Sequence, residues 1–503
     1  MSRSASVLSR TAYGLETHLV HVECHLAGGL PGTTIVGLAE GAVREARDRV
    51  KSAIRNSGFS YPVSHITINL APSHLSKSGT GFDLPIAMAI LVASEQLPSA
   101  ALDQTEFIGE LGLFGELRRA HNVLASAVSC YQAGHRLFLP QANANEVQLI
   151  ARDGFWTATS LLEVAELLCA KRQKPAPLAR PVDPSNEEGR EIFDQIIGQY
   201  LAKRALMIAA AGGHHMLMIG PPGTGKTMLA QCLVDLLPDL EHDRMLEVAT
   251  VYSAYGSGRE HYRRPPLRSP HHSVSTAAMG GGGHTPTPGE ITLSHCGVLF
   301  LDELPHFKPS ALDLLREPIE TGEIAIARAQ YRTSFPCRFQ LIAAMNPCPA
   351  GRSCKEHSCR CTPSQVQRYQ SRISGPLLDR IDLHVKLSRP SPEALLRAAP
   401  TEKSSAQLRE RVTVTRERQL SRQGCLNRDL AGDNIVEVCA LSTTTRAGFI
   451  KALATLNVSA RSAHRRLRVA RTLADMAGED RVSMSHINTA LSFREAPNEV
   501  GAM

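Results

Sequence analysis

Residues 220–230 read GPPGTGKTMLA and satisfy G-x-x-x-x-G-K-[ST], with Gly220, Gly225, Lys226 and Thr227 at the fixed positions and Pro221, Pro222, Gly223 and Thr224 between them. Glycines at such places let successive backbone N–H groups turn toward phosphate oxygens. The lysine reaches the β and γ oxygens, and the hydroxyl ligates Mg2+. The chemistry called for is that of ATP held with Mg2+. Further along, GVLFLDELPHF (297–307) runs four apolar residues into Asp302 and Glu303. The first carboxylate would hold Mg2+ through water and the second would polarise the attacking water as general base. Alone, the pair also reads as a strand followed by an acidic helix cap; its place downstream of a phosphate loop favours the catalytic reading. FQLIAAMNPCP ends in Asn346, a neutral amide suited to sensing a water or the γ-phosphate. In GPLLDRIDLHV, Arg380 lies between Asp379 and Asp382. It reads either as an arginine finger serving a neighbouring subunit or as a member of a local salt bridge.

These residues need elements to hold them. The phosphate loop follows HHMLMIG, an apolar run of the kind buried as a strand, and precedes TMLAQCLVDLL, apolar at helical spacing. Strand, loop and helix in that order set a helix N-terminus against the phosphates. GVLFL has the pattern of a buried parallel strand that delivers its carboxylates at the C-terminal edge. The chain is expected to be α/β, with a linker at 171–190, where four prolines interrupt any apolar periodicity. Residues 1–170 read as a mixed α/β domain, 191–390 as the nucleotide-binding core with a parallel sheet, and 391–503 as helical and arginine-rich.

The 503 residues suffice for several domains, and 43% hydrophobic with 20% charged is ordinary globular composition. A net charge of +7 permits a polyanionic partner without requiring one. The longest apolar run, LPIAMAILVA at 84–93, is too short for a membrane span, and the N-terminus lacks a signal-peptide core. A cytoplasmic protein with mostly reduced cysteines, and no membrane partner, is the expectation.

Several segments, in order, resemble the magnesium-chelatase-like AAA+ proteins of the ComM branch: FDQIIGQYLAKRALMIAAAGGHHMLMIGPPGTGKTMLA, GEITLSHCGVLFLDELPHF, LREPIETGEIAIARAQ, CTPSQVQRYQSRISGPLLDRIDLHV and SARSAHRRLRVARTLADMAG. The resemblance implies a P-loop AAA+ core with a C-terminal helical lid, assembling as a hexameric ring with ATP at subunit interfaces. It implies roles for Lys226 and Thr227 in the phosphate loop, for Asp302 and Glu303 in the second motif, and for Asn346 as first sensor. Arg380 matches the finger, with Arg372 a second candidate, and Arg461 matches the second sensor on the lid. Gly198 and Gln199 fall in the loop near the adenine.

The front segment, with NLAPSHLSKSGTGFDLPIAMAIL and ELGLFGELRRAHNVLASAVSCYQAGHRLFLP, is similar to the Lon-protease fold that precedes the ATPase in this family. A Lon site needs a serine nucleophile and a lysine base. Those positions fall on Gly81 and Arg118, and arginine stays protonated at neutral pH. The domain is expected to be proteolytically inactive, with Ser76, Lys77, Ser78 and Thr80 close enough to these positions to shift the alignment.

Cys348, Cys354, Cys359 and Cys361 lie within fourteen residues directly after Asn346, with His357 among them. Four thiolates could surround a structural Zn2+; reduced thiols on a loop are the other reading. ETGEIAIARAQYRTSFP (320–336) alternates as a β-hairpin, where Arg328, Tyr331 and Arg332 offer phosphate-binding and base-stacking groups or else a solvated hairpin on a neighbour. What the ATP drives is given by resemblance. The ComM branch implies a DNA motor (helicase) that promotes branch migration and integration of single-stranded DNA in homologous recombination during natural transformation. Single-stranded and branched DNA, together with recombination proteins, would be its partners. The chelatase branch implies remodelling of a protein complex.

Overall fold

The computed structural model describes residues 3–38, 41–75, 77, 79–150, 154–169, 192–196, 198–259, 261–283, 286–327, 332–351, 361–389, 404–455 and 460–493. The linker expected at 171–190 lies outside them. The chain divides into two compact units. One comprises Met1–Asp183 with His242–Tyr262 and His284–Thr287, and the other comprises Pro184–Glu241, Arg263–Gly283 and Pro288–Met503.

In the first unit, seven strands form one mixed sheet: β1 Arg3–Tyr13, β2 Glu16–Ala27, β3 Gly32–Val36, β4 His65–Ala71, β5 Thr105–Phe107, β6 Arg136–Pro140 and β7 Phe155–Ala158. Their order is β3-β4-β2-β1-β5-β6-β7. Period-two patterning sets which face is buried. Val20, Val22, Cys24 and Leu26 of β2 and Ile66, Ile68 and Leu70 of β4 all turn inward. The run at 84–93 lies in helix α2, Asp83–Ala93, every residue of which is buried. A helix apolar on all sides belongs inside a core. Helix α3, Val123–Gln132, meets the helix His242–Tyr255, which the sequence carries beyond the phosphate loop. There Ser253 Oγ donates to Glu146 at 3.0 Å and accepts from the Leu124 N–H at 3.4 Å.

The second unit is built on five parallel strands: β8 Met216–Ile219, β9 Leu267–Arg268, β10 Val298–Leu301, β13 Gln340–Met345 and β14 Leu383–Lys386. They lie in the order β9-β10-β13-β8-β14. Every residue of β10 and of β13 is buried. A two-stranded hairpin, β11 Glu323–Ala327 and β12 Arg332–Pro336, stands apart from this sheet as its own antiparallel pair.

Helix α4, Tyr200–Gly212, crosses beneath the lid, whose helices are α6 Ser405–Gln423, α7 Gly432–Cys439, α8 Thr443–Thr455, α9 Ala460–Ala477 and α10 Met484–Ser492. The last carbonyls of α4 have no partner within their own helix. Side chains from elsewhere supply them. Gln340 donates to Ala209 O at 3.0 Å, Arg416 to Ala210 O at 2.8 Å and Gln419 to Ala211 O at 3.1 Å. Gly213 then leaves the helix in the left-handed region at φ 75°. Cations at a helix C-terminus also meet a favourable dipole, so these bonds tie lid to core.

His214 and His215 continue that seam. His214 Nε2 is 2.8 Å from Thr472 Oγ1 of the lid, and its Nδ1 is 3.4 Å from Asp382. His215 Nδ1 accepts from the Leu341 N–H at 2.9 Å. Burial pushes the His215 pKa down to about 3. Burial also opposes ionisation of Asp382, but its bond to His214 and the nearby charges prevail and hold its carboxyl below the usual range. Both shifts have one consequence for linkage. Between pH 6.5 and 3 the unfolded chain takes up a proton at His215 that the folded chain refuses, so stability falls as pH falls through that window. Asp382, with a depressed pKa, adds loss in the same direction in stronger acid. Replacing His215→Asn keeps an acceptor for the Leu341 N–H and removes the titration. The slope of unfolding free energy between pH 6 and 4 should become shallower by about one proton, ~1.4 kcal/mol per pH unit. An unchanged slope would show that His215 is protonated in the folded state.

Candidate functional site

The strand β8 ends at Ile219 and the phosphate loop begins at once, capped by Gly225 at the start of helix α5, Lys226–Leu236. Gly223 and Gly225 take φ of 77° and 81°, which a side chain would strain. Gly220 is excluded from change for another reason. A Cβ there would lie 2.7 Å from Leu387 Cβ and 3.0 Å from Leu387 O. Thr224 Oγ1 donates to Pro221 O at 2.9 Å and holds the loop's curvature.

Because β8 lies beside β13 and β13 beside β10, the C-terminal ends of three strands place their next residues together. Lys226 Nζ donates to Gly220 O at 2.8 Å, to Pro221 O at 3.0 Å and to Asn346 Oδ1 at 3.1 Å. Thr227 Oγ1 donates to Asp302 Oδ2 at 3.2 Å. Burial lowers the Lys226 pKa from its ordinary value, against the pull of Asp302 and Glu303. Glu303 has a left-handed backbone, φ 52° and ψ 44°, and its N–H donates to Asp302 Oδ1 at 2.8 Å. Such a conformation costs a non-glycine residue on the order of 1 kcal/mol. It turns the two neighbouring carboxylates apart in role. On the other side of the loop, Gln199, left-handed at φ 52° after Gly198, donates to Ser388 O at 2.7 Å and approaches Thr224 O at 3.5 Å.

The residues gathered here fit ATP and Mg2+. A backbone cradle that admits no Cβ at Gly220, an ammonium, a hydroxyl and two carboxylates are the donor set for phosphate and a hard cation. Sequence reasoning missed His272, whose Nδ1 is 3.4 Å from Glu303 Oε2. It lies in the stretch 263–290, which carries no motif to single it out.

Arg380 and Arg461 stand elsewhere. Arg380 precedes β14 at the N-terminal end of the sheet, the edge opposite the phosphate loop, since Met216 pairs with Leu383 and Ile219 with Lys386. Arg380 Nη2 is 3.0 Å from Glu320 Oε1, and Arg461 pairs with the same oxygen. The salt bridges open to Arg380 in the sequence were with Asp379 or Asp382; the partner found is Glu320. Arg372 closes the short helix over 363–370 and its N–H donates to Tyr369 O. In the arginine-rich run 461–471, where helical spacing would set some side chains on a nucleotide face and some in solvent, Arg465, Arg466 and Arg471 are buried. Arg471, Arg422 and Asn427 all bind the carboxylate of Asp475.

In the front unit, Gly81 accepts the Gly109 N–H through its carbonyl, and Arg118 is exposed and paired with Glu116 at 2.7 Å. Neither can act as nucleophile or base. Lys77 is buried and donates to Pro72 O, and burial lowers its pKa. Thr80 donates to Glu110. Ser76 and Ser78 lie outside the described residues, as do Arg328, Tyr331, Cys354, His357 and Cys359. Arg332 faces Ala327 in the hairpin ladder. Cys348 is buried and Cys361 half-buried.

Gly220→Ala should weaken ATP binding by tenfold or more, about 1.4 kcal/mol, without unfolding the chain, because its Cβ can be accommodated only by moving the loop from Leu387. Titration with a fluorescent ATP analogue checks this, and wild-type affinity would refute the steric account.

Comparison with known proteins agrees with the geometry. Residues 192–395 match the family described as magnesium chelatase, subunit ChlI, residues 22–143 match a second ChlI-subunit model, and residues 402–494 match the ChlI C-terminal model. The chain is 46% identical over 490 residues to the uncharacterized protein YifB of Escherichia coli, covering 97% of this chain and 96% of that one. It is 44% identical over 497 residues to the competence protein ComM of Haemophilus influenzae, covering 97% of each. A shorter likeness, 26% over 197 residues and 34% of this chain, joins it to Lon protease 2 of Bacillus subtilis, of which it covers 35%. Among the described residues no helix is long and apolar enough to cross a membrane. Family membership implies use of ATP and Mg2+, and the fold is Lon-like and AAA+ in its two parts. The chain belongs to the magnesium-chelatase-like AAA+ family, in the branch that holds ComM and YifB.

Proposed function

We propose that this chain is the subunit of a hexameric, cytoplasmic ATPase ring that drives branch migration of DNA, integrating single strands during natural transformation. The observation that carries the ring is the placement of Arg380 and Arg461 together at the sheet edge opposite the chain's own phosphate loop. Four residues of strand separate the two edges, ~13 Å. Arginines placed there serve a γ-phosphate only on another copy, and a ring supplies that copy to every subunit.

Within one site the residues divide the work. Thr227 and Asp302 would hold Mg2+, whose charge offsets that of the phosphates. Glu303 takes a proton from the attacking water as its oxygen bonds to the γ-phosphorus and the bridging bond to the β-phosphate breaks. Asn346 orients that water, Lys226 and the loop N–H groups receive the charge, and the neighbour's Arg380 and Arg461 complete its neutralisation. Gly198 and Gln199 border the adenine. The relative named as a competence protein supports DNA as the substrate, with Arg328, Tyr331 and Arg332 of the hairpin as the contacts. The front unit, with Gly81 and Arg118 in place of a dyad, serves as a docking collar for recombination proteins. A chelatase-like remodelling of a protein complex is the second reading, favoured by the family that matches residues 192–395.

ATP hydrolysis and strand exchange on a labelled four-way junction test the proposal, with Glu303→Gln as control. Junction-stimulated turnover and product strands from the wild type alone are expected; turnover indifferent to DNA with intact junctions would point to protein remodelling. In the same assay, rings mixed from Glu303→Gln and Arg380→Ala subunits should regain part of the ATPase that each lacks, and none would be regained if Arg380 acted only within its own chain.

The four cysteines are proposed to hold a structural Zn2+, with Cys348 buried beside the first sensor. Elemental analysis of purified protein should find one zinc per chain, lost in Cys348→Ser; its absence would leave them as reduced thiols.

A further inference from the structure

One carboxylate oxygen, Glu320 Oε1, binds both Arg380 and Arg461. The two arginines come from different places, one from the core before β14 and the other from lid helix α9. All three line a half-open pocket of about 340 Å3, together with Arg428, Arg465 and Asp382. Arg380 is held on its far side by a bond to Pro376 O at 2.7 Å, and its Nε is buried with no partner among the described residues. The arginine therefore has donor capacity beyond what Glu320 takes. Glu320 is 40% exposed and Arg461 56% exposed, so their pair is weak and exchangeable in water. A phosphate brings more charge and more acceptor oxygens than a carboxylate and would displace it.

Glu320 is also the last turn before the hairpin. Thr321 Oγ1 shares its one proton between Glu317 O at 3.1 Å and Glu323 O at 3.0 Å, and it accepts from the Glu323 N–H at 3.2 Å. Gly322, left-handed at φ 74°, admits no Cβ, which would lie 2.9 Å from Arg338 Cγ. Its carbonyl accepts the Cys337 N–H at 2.8 Å, and Ser334 donates to Glu323 at 2.9 Å. These bonds make the Glu320 turn and both hairpin strands one stiff piece.

Resting on the ring reading above, we propose that Glu320 is a positioning and coupling residue: it holds the two arginines ready, yields them to the neighbour's phosphate, and so releases the hairpin turn. Reciprocity follows. A load that pulls the hairpin draws Glu320 from the arginines and eases their transfer to ATP, the same coupling read from the other end. The carboxylate restrains hydrolysis in the unloaded ring and gives DNA its lever on the rate.

Glu320→Gln, nearly the same shape without the charge, tests this in the full chain. DNA-free ATPase should rise roughly fivefold, carried in kcat, and the ratio of DNA-stimulated to basal rate should shrink by a similar factor. The rise should vanish in Glu320→Gln with Arg380→Ala. A mere lid strut would lower the melting temperature and leave that ratio unchanged, and a wild-type basal rate in intact rings would overturn the coupling role. A second measurement needs no change at Glu320. In Glu303→Gln rings given ATP, amide exchange across 317–327 and 332–337 should quicken relative to the ATP-free protein, and unaltered exchange overturns the proposal. If instead Arg380→Ala in wild-type rings leaves hydrolysis intact, it is the ring reading that fails, independently of Glu320.

Discussion

A parallel sheet buried on both faces has room for chemistry only at its ends. Val298–Leu301 and Gln340–Met345 are buried throughout, so no strand residue between can present a polar group without cost. The functional groups are pushed to the two edges. At the C-terminal edge stand the phosphate loop, Asp302, Glu303 and Asn346; at the N-terminal edge stand His215, Asp382 and Arg380. Nearly everything else in the second unit follows from keeping those edges in order. The lid side chains Arg416 and Gln419 close the carbonyl end of α4, the helix that leads into β8, and His214 ties the same corner to Thr472.

The phosphate-binding edge was legible because its signals are local. A loop of fixed spacing, a strand that ends in two carboxylates and a strand that ends in an amide each carry their meaning within a dozen residues. The opposite edge was not. Arg380 lay between two aspartates in sequence, and proximity in the chain suggested them as partners. Glu320, sixty residues earlier, took that place because the approach to β14 and the turn before the hairpin meet only in three dimensions. No periodicity encodes such a meeting. The same holds for His272 beside Glu303, and for the arginines of lid helix α9. Helical spacing divides them between a nucleotide face and solvent, yet Arg471 is wholly buried around Asp475 with its bonds satisfied.

The two edges also differ electrically. At the loop, one ammonium faces two carboxylates that a divalent cation would balance, so the site is poised for an ion that arrives with its nucleotide. At the other edge, arginines crowd against fewer acids, an excess of donors that a phosphate could use.

The helix His242–Tyr255 belongs by its contacts to the front unit, although the sequence delivers it between the phosphate loop and the acidic strand. Met245, Val248, Ala249, Val251 and Tyr252 are buried there. The border between the parts of this protein is therefore not a point on the chain. Cutting at the proline-rich stretch would strand this helix, leaving its apolar face wet in one fragment and a bare α3 in the other. Fragments meant to separate the ATPase core from the front unit would each carry a wound of their own making. The chain crosses the border repeatedly, and whatever is bound by the front unit has a covalent line to the helix that begins with Lys226.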